Sequence, residues 1–384
     1  MLTREGCLDR QRRLRERLAT NNLDAAVISD RRDVYYLTGL LVPDHLFVLL
    51  TLETDGESRL VAPDGHTSVH IDTCVSYNWN EAGTNHPDPM TRIEAAVAGH
   101  STRKIRRLGW QAESLPHRLA QSLEQHFTST GWIAIDEILR TMQRHKDADE
   151  LAILRKSIAA NLGAYDAARE AIVPGATELA VRAAGVRGAT LTAGEPVFHD
   201  GDYRCGAFNG PARDRAIRDG EIYIIDAWTT FRGYWSDLSC AFVVGVAPTD
   251  LQQSIFNHIA GVQRRAGDAL RPGLHTSELW RMIDAMIREH PALADTGLIH
   301  HGGHGIGLRI HEEPDINRDR GDALHVGDVV CLEPGGYTLE ARCGVRIENT
   351  YRITESAAEN LSDDSVELCR QDQTTNPREQ NHAH

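Results

Sequence analysis

Four apolar segments in the second half of the chain each carry a carboxylate beside aliphatic residues. The segments read EIYIIDAW, SDLSCAFVVGV, DVVCLEP and GVRIENTYRIT, and the acidic residues in question are Asp226, Asp237, Glu333 and Glu348. Runs rich in Val, Ile and Leu predict buried strands, and a buried carboxylate without a counter-charge is strongly destabilising. Four such carboxylates facing one point require a cation between them. The spacing of Asp226 and Asp237 fits two strands of one hairpin, and Glu333 and Glu348 fit a second strand pair.

A stretch rich in histidine and glycine, HHGGHGIGLRIHEEP at residues 300–314, is the second unusual feature. Glycine costs backbone entropy and histidine fills a core poorly, so the stretch indicates a site built on a loop. A polar surface loop with tight turns is the alternative. His304 together with the four carboxylates suits a pair of divalent ions such as Mn, Co, Fe or Zn. Taken singly, each carboxylate is more simply explained as a strand-end or turn residue, so the metal hypothesis depends on the whole set.

The two halves of the chain differ in their pattern of helices and strands. Short β-rich runs alternate with helical stretches between residues 24 and 136, which predicts a smaller α/β domain over residues 1–140. In the second half, helices are predicted from Asp147 to Pro174, at 249–270 and at 276–289. The strands predicted there are grouped together and do not alternate one to one with the helices. Residues 141–365 are therefore expected to form an α+β domain with a largely antiparallel sheet. The polar residues 366–384 are predicted to be a disordered tail.

Composition excludes several classes of function. The chain has 384 residues and a formal net charge of −14, which argues against binding to a nucleic-acid backbone and fits a soluble cytoplasmic protein. It contains no run of 18 apolar residues, so no membrane span is expected. The seven cysteines include no CxxC pair, so we expect reduced thiols, with Cys240, Cys331 and Cys343 serving as small buried hydrophobic residues.

These motifs resemble those of the pita-bread metallopeptidases, in particular the branch that contains Xaa-Pro aminopeptidase, prolidase and creatinase. The resemblance is carried by IIDAW…GYWSDLS, HHGGHGIGLRIHEEP, CLEPGGY and GVRIENTYRIT, and it extends upstream to HKDADELAILRKS, VPGATE and LDAAVISDRRDVYYLTG. It covers nearly the whole chain up to about residue 360. It implies a carboxy-terminal pita-bread domain preceded by a creatinase-type amino-terminal domain, and a homodimer.

The resemblance also implies a role for each site residue. Asp226 would be a terminal ligand of one metal ion, His304 and Glu333 would bind the other, and Asp237 and Glu348 would bridge the two. A hydroxide held between the ions would attack an amide carbonyl, with Glu333 handling the proton. The remaining roles implied are for His300 and His311, which would line the substrate cleft, and for Arg346, which would orient a substrate carboxylate. His301 has no counterpart and is expected to be exposed.

The chain departs from the family pattern at one position close to the first metal aspartate. Aligned on Asp214 and Arg215, the sequence has Asn209 where peptidases of this branch carry a histidine, and His199 is the alternative replacement. Asparagine donates a hydrogen bond but does not carry a proton.

The sequence leads to three hypotheses about function. The first is a dinuclear hydrolase acting on an amide bond of a small peptide, like Xaa-Pro aminopeptidase and prolidase. The second is a hydrolase or lyase of a small non-peptide compound at the same metal centre. The third is a binding module without metal.

Overall fold

The computed structural model describes residues 1–65, 69–81, 83–85, 89–98, 105–127, 131–339, 342–362 and 368. The chain divides into two compact units, Met1–Gln143 and Arg144–His384. The predicted tail, residues 366–384, lies outside the described residues except for Leu368. Among the helices in the described ranges, none combines the length and the apolar character needed to cross a lipid bilayer.

The first unit alternates helices and strands. Its elements are α1 (Arg4–Thr20), β1 (Ala25–Ile28), α2 (Arg31–Thr38), β2 (Leu49–Glu53), β3 (Ser58–Pro63), β4 (Thr73–Tyr77), β5 (Asn80–Glu81), β6 (Thr84–Asn85), α3 (Pro89–Ala98), β7 (Arg107–Trp110), α4 (His117–His126), β8 (Gly131–Ala134) and α5 (Asp136–Arg144). Six strands form one mixed sheet in the order β4-β3-β2-β1-β7-β8. Aliphatic side chains of its strands share a hydrophobic core with α3 and α4, among them Val27, Val61, Ile93 and Leu119.

The second unit groups its helices and strands. Its elements are α6 (Ala148–Ala171), α7 (Glu178–Ala193), β9 (Phe198–Cys205), β10 (Ile222–Phe231), β11 (Tyr234–Val243), α8 (Asp250–Ala269), α9 (Thr276–Arg288), β12 (Gly303–Gly305), β13 (Glu312–Ile316), β14 (Val329–Leu332), β15 (Gly335–Thr338), β16 (Cys343–Arg346), β17 (Asn349–Ile353) and β18 (Ala358–Asn360). A 3₁₀ turn, Pro291–Leu293, follows α9.

All pairs between these second-unit strands are antiparallel, as predicted. One sheet has the order β11-β10-β9 and another the order β13-β12-β14-β17-β18, and the two-stranded sheet β15-β16 accompanies them. Helix α6 begins where the capping pair was expected, since the Asp147 backbone N–H donates to the Glu150 carboxylate at 2.9 Å. The buried positions of Cys240, Cys331 and Cys343 confirm their expected packing role.

Helix α7 was not predicted from the sequence. It has few periodic apolar residues because it packs on α6 through glycines rather than through large side chains. A Cβ at Gly188 would lie 2.2 Å from the carbonyl oxygen of Gly163 on α6, so this close approach of two backbones requires glycine.

Candidate metal centre

The four carboxylates and His304 come together in the second unit from several strands. Asp226 and Asp237 lie on β10 and β11, where Asp226 is opposite Ser239 and Asp237 is opposite Trp228, so both side chains project from one face of the hairpin. His304 is the middle residue of β12. Glu333 follows β14 and Glu348 precedes β17, and these two strands pair up to the contact of Leu332 with Asn349.

Atom distances show how tightly these groups cluster. The Nε2 atom of His304 lies 3.7 Å from Oε1 of Glu333 and 3.9 Å from Oδ2 of Asp237. Asp226, Asp237 and Glu348 each offer one oxygen within 4.8 Å of the others, and all three residues are buried. A divalent cation can contact several ligand atoms that lie this close to one another.

The hairpin that carries the two aspartates is held by helix α6. Tyr165 donates a hydrogen bond to the carbonyl of Ile225 at 2.9 Å, and Asn161 donates to the carbonyl of Ala227 at 2.7 Å. These two carbonyls flank Asp226 in the sequence. The second sheet joins the hairpin through the backbone N–H of Glu348, which donates to the carbonyl of Ser239 at 2.9 Å. Asp226 and Glu348 are therefore positioned by contacts of the backbone.

Glycine allows His304 to reach this position. Gly303 has φ of 147°, and a Cβ there would lie 2.0 Å from the carbonyl oxygen of Cys331 on the neighbouring strand β14. A side chain at residue 303 would force β12 away from β14. The glycines of the 300–314 stretch therefore bring the backbone close to its neighbours, which is one reason for their number.

Burial makes the carboxylates hard to ionise without a cation. Desolvation raises the pKa of Asp226, Asp237 and Glu348, and their mutual repulsion adds to this effect for Asp237 and Glu348. Oδ1 of Asp237 and Oε1 of Glu348 are buried and have no hydrogen-bond partner among the described residues. Unpaired buried oxygens are destabilising, so the donor set fits divalent cations, for which carboxylate oxygen and imidazole nitrogen are suitable ligands.

Glu333 differs from the other three carboxylates because cations face it. Burial acts to raise its pKa, but the adjacent imidazole of His301 and the charge of Arg346 hold the pKa well below its usual range. Nδ1 of His301 is 3.1 Å from Oε1 of Glu333, and a terminal guanidinium nitrogen of Arg346 is 3.3 Å from Oε2. The expectation that His301 is exposed is wrong. It is half-buried beside Glu333 because the pairing of β12 with β14 continues past the strand ends, where the backbone N–H of Glu333 donates to the carbonyl of Gly302 at 3.0 Å.

Arg346, Tyr337 and His300 form a connected chain of hydrogen bonds. Arg346 forms a short ion pair with Asp226, and its Nε donates to the Tyr337 hydroxyl at 3.0 Å. That hydroxyl lies 3.1 Å from Nε2 of His300, whose Nδ1 lies 2.5 Å from the carbonyl oxygen of His301. Burial and the charge of Arg346 lower the pKa of His300 to about 3, so its imidazole is neutral. Both ring nitrogens of His300 thus contact protein groups.

His311 lies on the open side of the cluster. Its ring stacks on that of His304 with centroids 3.9 Å apart, and one of its nitrogens lies within 4.8 Å of ligand atoms of Asp237 and His304. Unlike His304, His311 is exposed. The structure therefore brings Arg346, His300 and His311 close to the five proposed metal ligands.

The structure distinguishes the two candidates for the missing histidine. Nδ2 of Asn209 donates to Oδ2 of Asp226 at 2.9 Å, so Asn209 occupies the site. Its loop is held by buried Glu178, which accepts hydrogen bonds from the backbone N–H of Arg213 at 2.9 Å and of Cys205 at 3.1 Å. His199 lies elsewhere.

The ring nitrogens of His199 lie 2.7 Å from the Thr229 hydroxyl and 2.6 Å from the Tyr203 hydroxyl. The side chain is buried, with 4% of the residue exposed. Both nitrogens are engaged by groups outside the carboxylate cluster, and His199 does not replace the missing histidine.

A further acidic residue near the site was missed from the sequence. Asp202 on β9 pairs directly with Asp226 on β10, so the two side chains share one face of the sheet. Burial, followed by the charge of Asp226, raises the pKa of Asp202 to about 6. The signal available in the sequence was the alternation of HDGDYR, which is typical of a strand with one polar face.

Comparison with known proteins agrees with these motifs. Residues 10–144 match the creatinase/prolidase N-terminal domain, and residues 152–355, more than half of the chain, match metallopeptidase family M24. A Xaa-Pro dipeptidase of Pyrococcus horikoshii is 28% identical over 94% of this chain and 98% of its own length. A Xaa-Pro dipeptidase of Pyrococcus furiosus is 31% identical over 66% of this chain and 73% of its own length.

Solved structures show a similar fold. The crystal structure of the prolidase from Pyrococcus horikoshii superposes with a TM-score of 0.78 and 25% identity, over 94% of this chain and 99% of that one. The X-Pro aminopeptidase of Thermotoga maritima shares the fold, with a TM-score of 0.76, 21% identity and coverage of 94% and 98%. The predicted fold class and branch are confirmed, and the protein is a prolidase-like metallohydrolase. The chain belongs to metallopeptidase family M24.

Proposed function

We propose that the protein hydrolyses the amide bond of Xaa-Pro dipeptides with two divalent metal ions bound by Asp226, Asp237, His304, Glu333 and Glu348. The observation that carries this proposal is the convergence of four buried carboxylates and one imidazole, in which oxygens of Asp237 and Glu348 have no hydrogen-bond partner among the residues that the structure describes. The similarity to Xaa-Pro dipeptidases over most of the chain supports the choice of substrate.

The proposed ligand roles follow the family pattern. Asp226 would hold one ion, His304 and Glu333 the other, and Asp237 and Glu348 both. Ions of the Mn, Co, Fe or Zn type supply an activated water at neutral pH and polarise the carbonyl of the scissile amide. Nδ1 of His304 lies 2.9 Å from the carbonyl oxygen of Gly305, which fixes the ring so that Nε2 faces the carboxylates.

The other residues of the site would act on the substrate. Glu333 is suited to receive and return a proton because cations keep it ionised in a buried position. Arg346 would bind the substrate carboxylate, with the Tyr337 hydroxyl fixing the direction of the guanidinium. His311 is exposed beside His304, where an imidazole N–H could donate to the oxyanion or to the scissile amide. His300 would orient Tyr337 and line the cleft.

Hydrolysis of a small non-peptide amide is the second candidate. Asn209 favours it, because this residue contacts Asp226 where the peptidases of this branch place a group that carries a proton. The metal centre would be the same in both cases. The expectation of a cytoplasmic homodimer rests on the composition and on the family resemblance, and it stays a prediction.

A substrate panel separates the two candidates. The metal-free protein is loaded separately with Mn, Co, Fe and Zn, and each form is assayed with Xaa-Pro dipeptides and tripeptides and with small cyclic and linear amides. Turnover of Xaa-Pro dipeptides well above that of the other compounds supports the first candidate. Full metal loading without turnover of any Xaa-Pro compound contradicts it, and turnover of a small amide then favours the second.

A further inference from the structure

Asp202 lies next to the proposed metal centre but is not one of its five proposed ligands. It lies on β9, at the edge of the sheet β11-β10-β9, directly opposite Asp226. Side chains at directly opposite positions of antiparallel strands have Cβ atoms about 5 Å apart on the same face. Its strand neighbours His199 and Tyr203 are buried on the other face, whereas Asp202 is partly exposed. Asp202 therefore faces the same space as Asp226.

The carboxylate of Asp202 has no bonded partner in the part of the chain that the structure describes. It makes no hydrogen bond or ion pair with any residue that the structure describes. Asp200, two residues away on the same face, differs in this respect, since its carboxylate accepts from Nε of Arg182 at 2.8 Å. An unpaired carboxylate beside a second carboxylate is repelled by it, and a nearby cation relieves that repulsion.

The metal ions do not provide this cation directly. Asp202 belongs to none of the groups of closely spaced ligand atoms found in the described residues, whereas Asp226, Asp237, His304 and Glu348 do. Glu333 is linked to that cluster by Oε1, which lies 3.7 Å from Nε2 of His304, and Asp202 makes no such contact with a residue that the structure describes. Once two divalent ions are held by the four central carboxylates, Asp202 remains as a negative charge at the edge of the site. The charges of Arg346 and Arg204 act on Asp202 from a distance, but neither guanidinium forms an ion pair with it in the described part of the chain. A cationic group of the substrate is therefore a suitable direct partner.

We infer that Asp202 determines specificity by binding the α-ammonium group of the substrate. This inference rests on the proposed function. In a dipeptide the α-nitrogen is separated from the scissile carbonyl carbon by one Cα atom, so the two lie about 2.5 Å apart. A carboxylate that neighbours Asp226 is therefore close to the place of an α-ammonium group, while the cation of a lysine side chain would extend several bonds further. Together, Asp202 and Arg346 present opposite charges that complement the two ends of a zwitterionic dipeptide.

The test compares two substrates that differ only in the ammonium group, alanyl-proline and propionyl-proline. The kcat and KM values are measured for the metal-loaded protein and for Asp202→Asn, Asp202→Glu and the matched control Asp200→Asn. We expect Asp202→Asn to lower kcat/KM for alanyl-proline about ten- to hundredfold, mainly through KM, because a charge-assisted hydrogen bond is lost. The value for propionyl-proline should be unchanged. Asp202→Glu should restore part of the preference, and Asp200→Asn should leave it intact.

Other outcomes overturn the inference. An equal loss with both substrates, or a loss of bound metal in Asp202→Asn, assigns Asp202 a structural or metal-related role. Lysyl-proline is assayed as a third substrate, and a loss confined to it assigns Asp202 to binding a substrate side chain. If the wild-type protein cleaves neither compound, the proposed function fails, and calorimetric binding of the same two compounds to the metal-loaded protein then decides. Tighter binding of alanyl-proline that is lost in Asp202→Asn supports the inference, and equal binding of both compounds overturns it.

Discussion

Nδ2 of Asn209 donates a hydrogen bond of 2.9 Å to Oδ2 of Asp226, the oxygen that also forms the ion pair with Arg346. An asparagine here stabilises the aspartate but does not transfer a proton. Hydrogen bonds to Glu178 fix the loop that carries Asn209, and this loop conformation allows the contact with Asp226. The residue at position 209 is therefore placed to influence which amides the site can cleave.

We predict that Asn209→His increases hydrolysis of Xaa-Pro dipeptides relative to small non-peptide amides. An imidazole at this position supplies a proton donor beside Asp226, and general acid catalysis contributes about a hundredfold or more where it is needed. The measurement is the ratio of kcat/KM for the two substrate classes. Asn209→Ala is the control, because it removes the hydrogen bond without adding a proton carrier. An unchanged ratio in Asn209→His would contradict a role for this position in selectivity.

Replacing Glu348 with Gln should affect stability in opposite directions with and without metal. In the metal-free protein, Glu348 is a buried carboxylate repelled by Asp237 and Glu333, and the neutral amide removes this repulsion. The free energy of unfolding should rise by on the order of 1 kcal/mol. In the metal-loaded protein, the same change removes a ligand and should lower the melting temperature and the bound metal. Chemical denaturation with and without a chelator measures both effects, and the same sign in both conditions would refute the ligand role.

Alanine at Asp237 or Glu333 should abolish activity and reduce the metal content. Both carboxylates lie within 4 Å of Nε2 of His304, so each substitution removes one ligand from a shared set. Elemental analysis of the purified variants checks the metal content, and the initial rate with alanyl-proline checks the activity. Thr350→Ser, which alters a buried neighbour outside the ligand set, is the matched control. Full retention of both metal and activity in either alanine variant would disprove its assignment.

Tyr337→Phe should weaken recognition of the substrate carboxylate without unfolding the protein. The phenylalanine ring keeps the stacking contact with Phe208, whose centroid is 5.7 Å away, but it loses the hydroxyl that orients Arg346. Loss of a residue that orients a catalytic group costs about ten- to hundredfold in comparable sites. We expect KM for alanyl-proline to rise while KM for alanyl-prolinamide, which lacks the carboxylate, stays constant. A parallel rise for both substrates would assign Tyr337 a general structural role.

His199 should make the protein less stable under mild acid. Its burial lowers the pKa to about 4, below the value of about 6.5 in the unfolded chain. The neutral imidazole therefore stabilises the fold fully above about pH 6.5, and this contribution, on the order of 3 kcal/mol, is lost as the pH falls toward 4. His199→Gln should flatten the decline in unfolding free energy over this range, as measured by urea denaturation. The exposed His117→Gln serves as control, and an equal decline in His199→Gln and the wild type would contradict the assignment.

The strand carboxylates could be predicted from the sequence because their physical signal is local. Asp226, Asp237, Glu333 and Glu348 stand out among aliphatic neighbours, and apolar burial makes an isolated charge conspicuous. The long helices and the antiparallel pairing likewise follow from periodicity and grouping. Each of these features is determined by residues that lie close together in the sequence.

Features that depend on packing between distant segments were not predictable. Helix α7 lacks an apolar stripe because Gly188 faces the backbone of α6 and Gly185 faces Tyr203 on β9. His301 lies beside Glu333 only because β12 and β14 are adjacent, and Asp202 faces Asp226 through the register of β9 on β10. The register of paired strands cannot be predicted from a single sequence, so the contacts of His301 and Asp202 were identified only in the structure.

Titration of the metal-free protein with Mn²⁺, with the initial rate of alanyl-proline hydrolysis measured at each ratio of bound metal to protein, determines whether hydrolysis depends on a two-metal centre. We predict that the rate increases with bound metal and reaches its plateau when two ions are bound per chain. Binding of two ions per chain without hydrolysis of alanyl-proline, or saturation below one ion per chain, would contradict it.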